Sequence, residues 1–221
     1  MTDVRTSGWV AIAGVVTFAL AVLALHVVQP GLSPRDEAVS YYVHGLFGWL
    51  LTVGLTALGI GSLSLVFGLV HMLGGRRARI GTGLVGVWGL GVLLGGVFRA
   101  DPPGHWSEPP SLAGMIHGNA ATLAFVALPL GALCLAKPFR QDKRWRPKAS
   151  LLLGLAVAAG ISLILFMASL IPVFVRPGPP ILLGLSERLL LAMYAAWLVA
   201  VGIGVVTHGP PAVEGSEEAH S

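Results

Sequence analysis

Six long apolar runs, at residues 9–28, 46–70, 80–98, 115–136, 151–175 and 185–207, decide what this chain can fold into. Each approaches or exceeds the ~20 residues a helix needs to cross ~30 Å of hydrocarbon. A backbone in lipid must satisfy its own hydrogen bonds, and the runs lack the alternation of barrel strands, so they read as helices. A mean hydropathy of +0.81 with 11% charged residues leaves too little polar surface for a soluble fold of this size. The predicted fold class is all-α, a polytopic transmembrane bundle of six helices. Residues 1–8 form a cytoplasmic N-terminal tail, 9–207 the single transmembrane domain, and 208–221 a disordered cytoplasmic C-terminal tail. Ala19-Leu20-Ala21 has the small-x-small pattern of a cleavage site, but its apolar run is long and its start hardly cationic, so the run is read as a retained span.

Orientation follows from the basic residues of the short loops. Arg76, Arg77 and Arg79 follow the second run, and Lys137, Arg140, Lys143, Arg144, Arg146 and Lys148 follow the fourth. The three opposite loops hold Arg35, Arg99 and Arg176, one apiece. Nine against three places both termini in the cytoplasm and the odd loops outside, as expected for a multi-pass protein of the cytoplasmic (inner) membrane. The pI of 9.7 then reflects topology and attraction to anionic lipids, with membrane lipids as partners and no call on nucleic acid. The single cysteine, Cys134, permits no internal disulfide and reads as a packing residue.

Small residues recur one turn apart at Gly91-x-x-x-Gly95, Ala57-x-x-x-Gly61, Ala156-x-x-x-Gly160 and Ala200-x-x-x-Gly204, which lets helix backbones approach closely in lipid. They predict a tight bundle; the Gly91/Gly95 face serves either packing within the chain, the favoured use, or a homo-oligomer interface. Pro129 and Pro172 are expected to kink the fourth and fifth spans. The odd runs end on related strings (His26-Val27-Val28-Gln29-Pro30-Gly31, Val97-Phe98-Arg99-Ala100-Asp101-Pro102, Val173-Phe174-Val175-Arg176-Pro177-Gly178) and the even runs open with His44-Gly45, His117-Gly118 and Ser186-Glu187. Spacings of roughly 70 to 75 residues raise a triple hairpin repeat, which shared turn chemistry would also imitate.

Most residues able to do chemistry lie at the outer end. Ser33-Pro34-Arg35-Asp36 has a helix-start pattern, so residues 33–42 are expected to form a short interfacial helix that carries Glu37 and Tyr41. It serves either as an aromatic belt with a charged start or as a lid. His44 and His117 stand near the interface, with Asn119 and Thr122 behind His117; ionisable groups at membrane depth normally face the bundle interior and mark a site. His26 is a further candidate, and His71, His105, His208 and His220 weaker ones. Arg99 and Asp101 close the third span. Ser186 is expected to cap the sixth, with Glu187 at its positive end. Arg188 gains nothing from the dipole there, so it is expected to pair with Asp101 or Glu187 or to bind an anionic head group.

Six spans with Pro30-x-x-Ser33 before the second, Asp101 after the third, His117-Gly118 in the fourth and Glu187-Arg188 opening the last resemble a bacterial and archaeal membrane family catalogued as domain of unknown function nine hundred and ninety-eight, over about residues 10 to 207. The resemblance implies the six-span topology and points at Asp101, His117, Glu187 and Arg188, with no reaction attached.

No lysine lies within a span to hold retinal, and there is no Walker loop and no selectivity-filter string. The leading expectation is a polar site at the outer-leaflet end that binds or modifies a lipid or isoprenoid-like substrate, a hydrophobic small-molecule ligand. Asp101, Glu187 and His117 are the acid and base candidates, and Arg188, Tyr41, Asn119, Arg99 and Glu37 the candidate substrate contacts. His44 and His117 are the candidate ligands of a divalent metal such as zinc, although no His-x-x-x-His spacing supports it. The rival is a non-enzymatic transporter, sensor or assembly partner whose polar cluster only ties helix ends together. Transport argues for polar residues at the bilayer midplane, which offers only hydroxyls such as Thr52, Thr56, Ser62 and Ser162.

Overall fold

The apolar runs become helices whose ends are set by caps and breakers. The structure, a computed structural model, describes residues 3–104, 108–175 and 180–209. His105, Arg176, His220 and most of the expected C-terminal tail lie outside the described residues. The helices are α1 (Val4–Val28), α2 (Trp49–Met72), α3 (Arg76–Val97), α4 (Leu112–Gln141), α5 (Ala149–Ser169), the short α6 (Ile171–Val175) and α7 (Leu183–His208), with 3-10 segments at Val39–His44 and Arg146–Lys148. All except α6 match spans that are long and apolar enough to cross a membrane. Asp3 caps α1 by accepting from the Arg5 N–H at 3.4 Å. Gly75 begins α3 at φ +92°, a left-handed conformation that glycine adopts without a Cβ clash.

The fifth span departs from expectation. Pro172 breaks it rather than kinking it: α5 stops at Ser169 and the chain re-enters helix only at Ile171. A proline has no N–H for the ladder and its ring crowds the carbonyl four residues back, here that of Ala168 in the last turn of α5. Pro129, by contrast, sits inside the 30-residue α4.

α1 packs on α2 and α7, α3 on α2 and α4, and α5 on α4 and α7, which closes a ring in the order α1-α2-α3-α4-α5-α7. Its crossings are made by small residues, as close approach in lipid requires. A Cβ on Gly14 would collide with the Ala57 carbonyl of α2, beside Gly61, and one on Gly8 would meet the Gly202 carbonyl of α7 at 2.7 Å. Gly91 lies against Ala120 and Ala124 of α4, and Gly95 beside His117, so the Gly91/Gly95 face is used within the chain. Gly204 receives the Trp145 indole instead of a helix, and a Cβ on Gly160 would meet nothing among the described residues.

Large apolar side chains such as Leu20, Leu23, Leu123 and Ile164 stay exposed on the perimeter, where lipid is as apolar as they are. Two of the midplane hydroxyls bond back to their own helices, Ser62 to the Leu58 carbonyl at 2.8 Å and Ser162 to that of Ala159 at 2.9 Å. Ser62 also accepts from the Trp88 indole at 3.0 Å, which joins α2 to α3. At the basic end Arg144 donates to the Met72 carbonyl and Arg5 to the Gly209 carbonyl, each at 2.9 Å, and Trp145 stands edge-on to His208, so the two basic loops share that side with the start of α1 and the end of α7. The other three loops meet at the opposite end.

Candidate functional site

At that opposite end the expected helix over residues 33–42 is instead a turn followed by the 3-10 helix Val39–His44. Ser33 and Glu37 close the turn: Glu37 Oε2 accepts from the Ser33 N–H at 2.6 Å, and Ser33 Oγ accepts from the Asp36 N–H at 3.2 Å. This reciprocal pattern follows the spacing of the residues, but the Arg35 carbonyl and the Val39 N–H, which an α-helix would pair with each other, are taken by the Leu185 N–H and by Glu187 of α7. The Glu37 carboxylate is thereby committed to the loop.

The 3-10 helix lies against α2 and α7. Its first orphan N–H, that of Val39, donates at 2.6 Å to Glu187 Oε2 from α7. Glu187 is only 6% exposed, and among the described residues its second oxygen accepts no hydrogen bond. The helix does not begin at Ser186 as expected. Leu182, in a left-handed conformation at φ +55°, precedes α7, and Ser186 lies inside it with its hydroxyl turned back to the Leu182 carbonyl at 3.0 Å.

Between the 3-10 helix and the ring is an apolar cavity of about 240 Å³. Trp88, Phe125 and Phe166 line it, with Leu51, Leu58, Val92 and Leu191 among its walls. Phe125 stands edge-on to Phe166 at 5.3 Å, and Trp88 edge-on to Tyr194 at 5.2 Å, favourable aromatic geometries that keep the rings in place. Its polar lining is Ser40, Tyr41, His117, Thr122 and Glu187. A vestibule of about 590 Å³ adjoins it, with Ser40, Tyr41, His117 and Gly118 in the walls of both. Asp101 and Glu108 line the vestibule. Burial, reinforced by the negative charges of Glu187 and Glu37, pushes the Tyr41 phenol above its usual range, so the hydroxyl stays a hydrogen-bond donor. His117 Nδ1 lies 2.9 Å from the Phe98 carbonyl and 3.2 Å from that of Gly95. Carbonyls only accept, so Nδ1 carries the proton and Nε2 of the neutral ring is left as an acceptor.

The remaining candidates divide differently from the expectation that Asp101, His117, His44 and Glu187 converge. Only His117 and Glu187 line the inner cavity. Asp101 ties the long loop to α4: its carboxylate accepts from both the hydroxyl and the N–H of Ser111, and Ser111 in turn caps the helix through the Gly114 N–H at 3.0 Å. His44 Nε2 donates to the Ala100 carbonyl at 2.8 Å, a tether between the first and second loops of this end. Arg99 and Asn119 are exposed and line neither cavity.

Arg188 corrects a further expectation. It forms no ion pair with Asp101 or Glu187 among the described residues. Its Nε donates to His26 Nε2, and its Nη1 to the carbonyls of Glu37 and Gly184, each at 2.9 Å; Nη2 reaches the Tyr42 hydroxyl at 3.4 Å. His26 therefore holds its proton on Nδ1, which donates to Val22 at 2.6 Å. The guanidinium fork suits this task, since one planar group binds α1, the loop and α7 together. Gly184 is needed beside it, because a Cβ there would collide with the Glu37 carbonyl.

A metal centre finds little support in this arrangement: among the described residues no three His, Cys, Asp or Glu side chains gather as its ligands. His44 and His117, the expected pair, share no cavity: His117 lines both, and His44, bonded to the Ala100 carbonyl, lines neither.

Sequence reasoning missed Tyr42, which is fully buried in the Arg188 network, and Ser111 as the partner of Asp101. Pro109-Pro110-Ser111 before an apolar run is a legible cap signal. Trp88, Phe125 and Phe166 carried none, since only helix rotation brings them to one cavity. No curated protein and no solved structure matches the chain. A family model does match, over residues 12–204, and the chain therefore belongs to the family described as Protein of unknown function (DUF998).

Proposed function

We propose that this integral membrane protein binds a lipid or isoprenoid-like amphiphile, with the apolar part of the ligand in the inner cavity and its polar end at Tyr41, His117 and Glu187. The observation that carries the reading is the division of the cavity wall: aromatic and aliphatic side chains over most of it, and a few hydrogen-bonding groups, three of them ionisable types, toward the vestibule. Scaled from a cavity of about 150 Å³ that takes benzene, this volume holds roughly ten carbon atoms, or two isoprene units. The vestibule supplies the path for the remainder and for water.

Acid–base chemistry on the bound molecule falls to these three groups. Tyr41 has a hydroxyl, His117 Nε2 is an acceptor, and Glu187 has a carboxylate oxygen that accepts no hydrogen bond among the described residues. Arg188, His44, Glu37 and Asp101 serve as the scaffold that places them. The rival, structural reading takes the whole polar cluster for such a scaffold, and it leaves the cavity unexplained.

Native mass spectrometry of the full-length protein, gently purified, tests the proposal on wild type, Ala121→Trp and Glu187→Gln. Ala121 lines the cavity, and an indole there fills it. An amphiphile bound near one per chain in wild type, and lost from Ala121→Trp at unchanged thermal stability, is the expected result. Equal occupancy in wild type and Ala121→Trp, or no bound amphiphile in either, rejects it.

A further inference from the structure

We infer that the amphiphile carries a positively charged nitrogen, which sits between Glu187 and Tyr41; this rests on the binding reading above and specifies its ligand class. The sign of the charges in the walls points that way. Glu187 is the acidic residue of the inner cavity, and among the described residues no Lys or Arg lines that cavity. Arg188 is next to Glu187 in the chain, yet its N–H groups are spent on His26, Tyr42 and two carbonyls, and it lines neither cavity.

A carboxylate buried in apolar surroundings with a single backbone N–H is poorly compensated. An anionic head group would add a like charge at short range in low dielectric, where repulsion is strongest. A neutral alcohol would supply one hydrogen bond and no countercharge. An ammonium or quaternary nitrogen completes the missing pair without displacing Val39, and the half-buried Tyr41 lines the same cavity.

The test uses three ten-carbon probes that differ only in head group: decylammonium, decan-1-ol and decanoate. Each is titrated calorimetrically into the full-length protein in phosphatidylcholine nanodiscs, with the heat of empty nanodiscs subtracted. Decylammonium is expected to bind at least about tenfold tighter than decan-1-ol, the lower end of what close charge pairs contribute at desolvated interfaces, with decanoate weakest. Glu187→Gln should bring the ammonium-to-alcohol ratio near one while the alcohol still binds, and Ala121→Trp should abolish all three. Decan-1-ol or decanoate binding as tightly as decylammonium, or a preference that survives in Glu187→Gln, overturns the charge inference and leaves the cavity reading standing. Probes that bind nowhere, or bind Ala121→Trp unchanged, overturn both. The wild-type ranking decides by itself if Glu187→Gln does not fold.

Discussion

Replacing Arg188 by methionine separates scaffold from ligand contact. Methionine keeps most of the apolar stem and removes the guanidinium, so packing against Tyr42 survives while the hydrogen bonds go. Three of those bonds measure 2.9 Å and end on His26 and the carbonyls of Glu37 and Gly184. Hydrogen bonds to charged groups contribute about 1.5–3 kcal/mol each in soluble proteins, whereas interhelical polar contacts in a bilayer average about 0.6 kcal/mol. The site lies at a helix end beside a vestibule, between those limits, and the Glu37 carbonyl and His26 Nε2 are left without their donor. We expect a loss of about 2–5 kcal/mol, which reversible unfolding by SDS in bicelles, followed by tryptophan fluorescence, resolves. The folded fraction of Arg188→Met should keep its bound amphiphile by native mass spectrometry. Arg188→Lys should recover less than half of the loss, since a compact ammonium does not span α1, the loop and α7 together. Stability equal to wild type with the amphiphile gone would refute the reasoning and make Arg188 a ligand clamp.

Asp101→Asn removes part of the acceptor set for Ser111 and should cost about 1 kcal/mol, the usual value of a helix cap, while lowering amphiphile affinity less than Glu187→Gln does; the same unfolding and binding assays check it. Gly14→Val drives a side chain into the Ala57 carbonyl and should destabilise by about 1–3 kcal/mol or more, whereas Gly160→Ala meets nothing and should be neutral or stabilising by up to about 1 kcal/mol in thermal melts. At the basic end, the hydrogen bond from Arg144 to Asp142 holds the Asp142 carboxyl below its ordinary range. A lowered native value means that the pair stabilises at neutral pH, and that this share is lost as pH falls from the unfolded carboxyl value near 3.9 through the lower native one. Arg144 is exposed and Asp142 half-buried, so the effect is small and screened by salt. Asp142→Asn should flatten the acid limb of the melting temperature at low ionic strength.

The transmembrane spans were readable because the bilayer sets their length and composition residue by residue. The first and sixth predicted spans, at 9–28 and 185–207, fall within α1 and α7. Breaks inside a span were less legible: Pro172 announced a disturbance, and whether it kinked or ended the helix depended on what α5 and the next turn pack against. The candidate site was half visible. Glu187, Tyr41 and His117 were picked out as polar residues at one end of apolar runs, and they do share a cavity. Asp101, His44, Glu37 and Arg188 met the same criterion and turned out to hold loops together, because a polar residue near a helix end looks alike whether its partner is a backbone carbonyl or a ligand.

Sequence by itself therefore determined the six helices, their alternating connection, and the segregation of basic residues from the other polar ones, since each follows from local transfer free energy and from charge along the chain. The ring order, the rotation that gathers Trp88, Phe125 and Phe166 beneath Glu187, and the assignment of Arg188 to His26 were decided only in three dimensions. Every face of these helices is apolar enough for lipid, so hydropathy does not say which face turns inward. That choice falls to the close fit of glycines against neighbouring backbones and to the few polar groups that must find partners away from lipid.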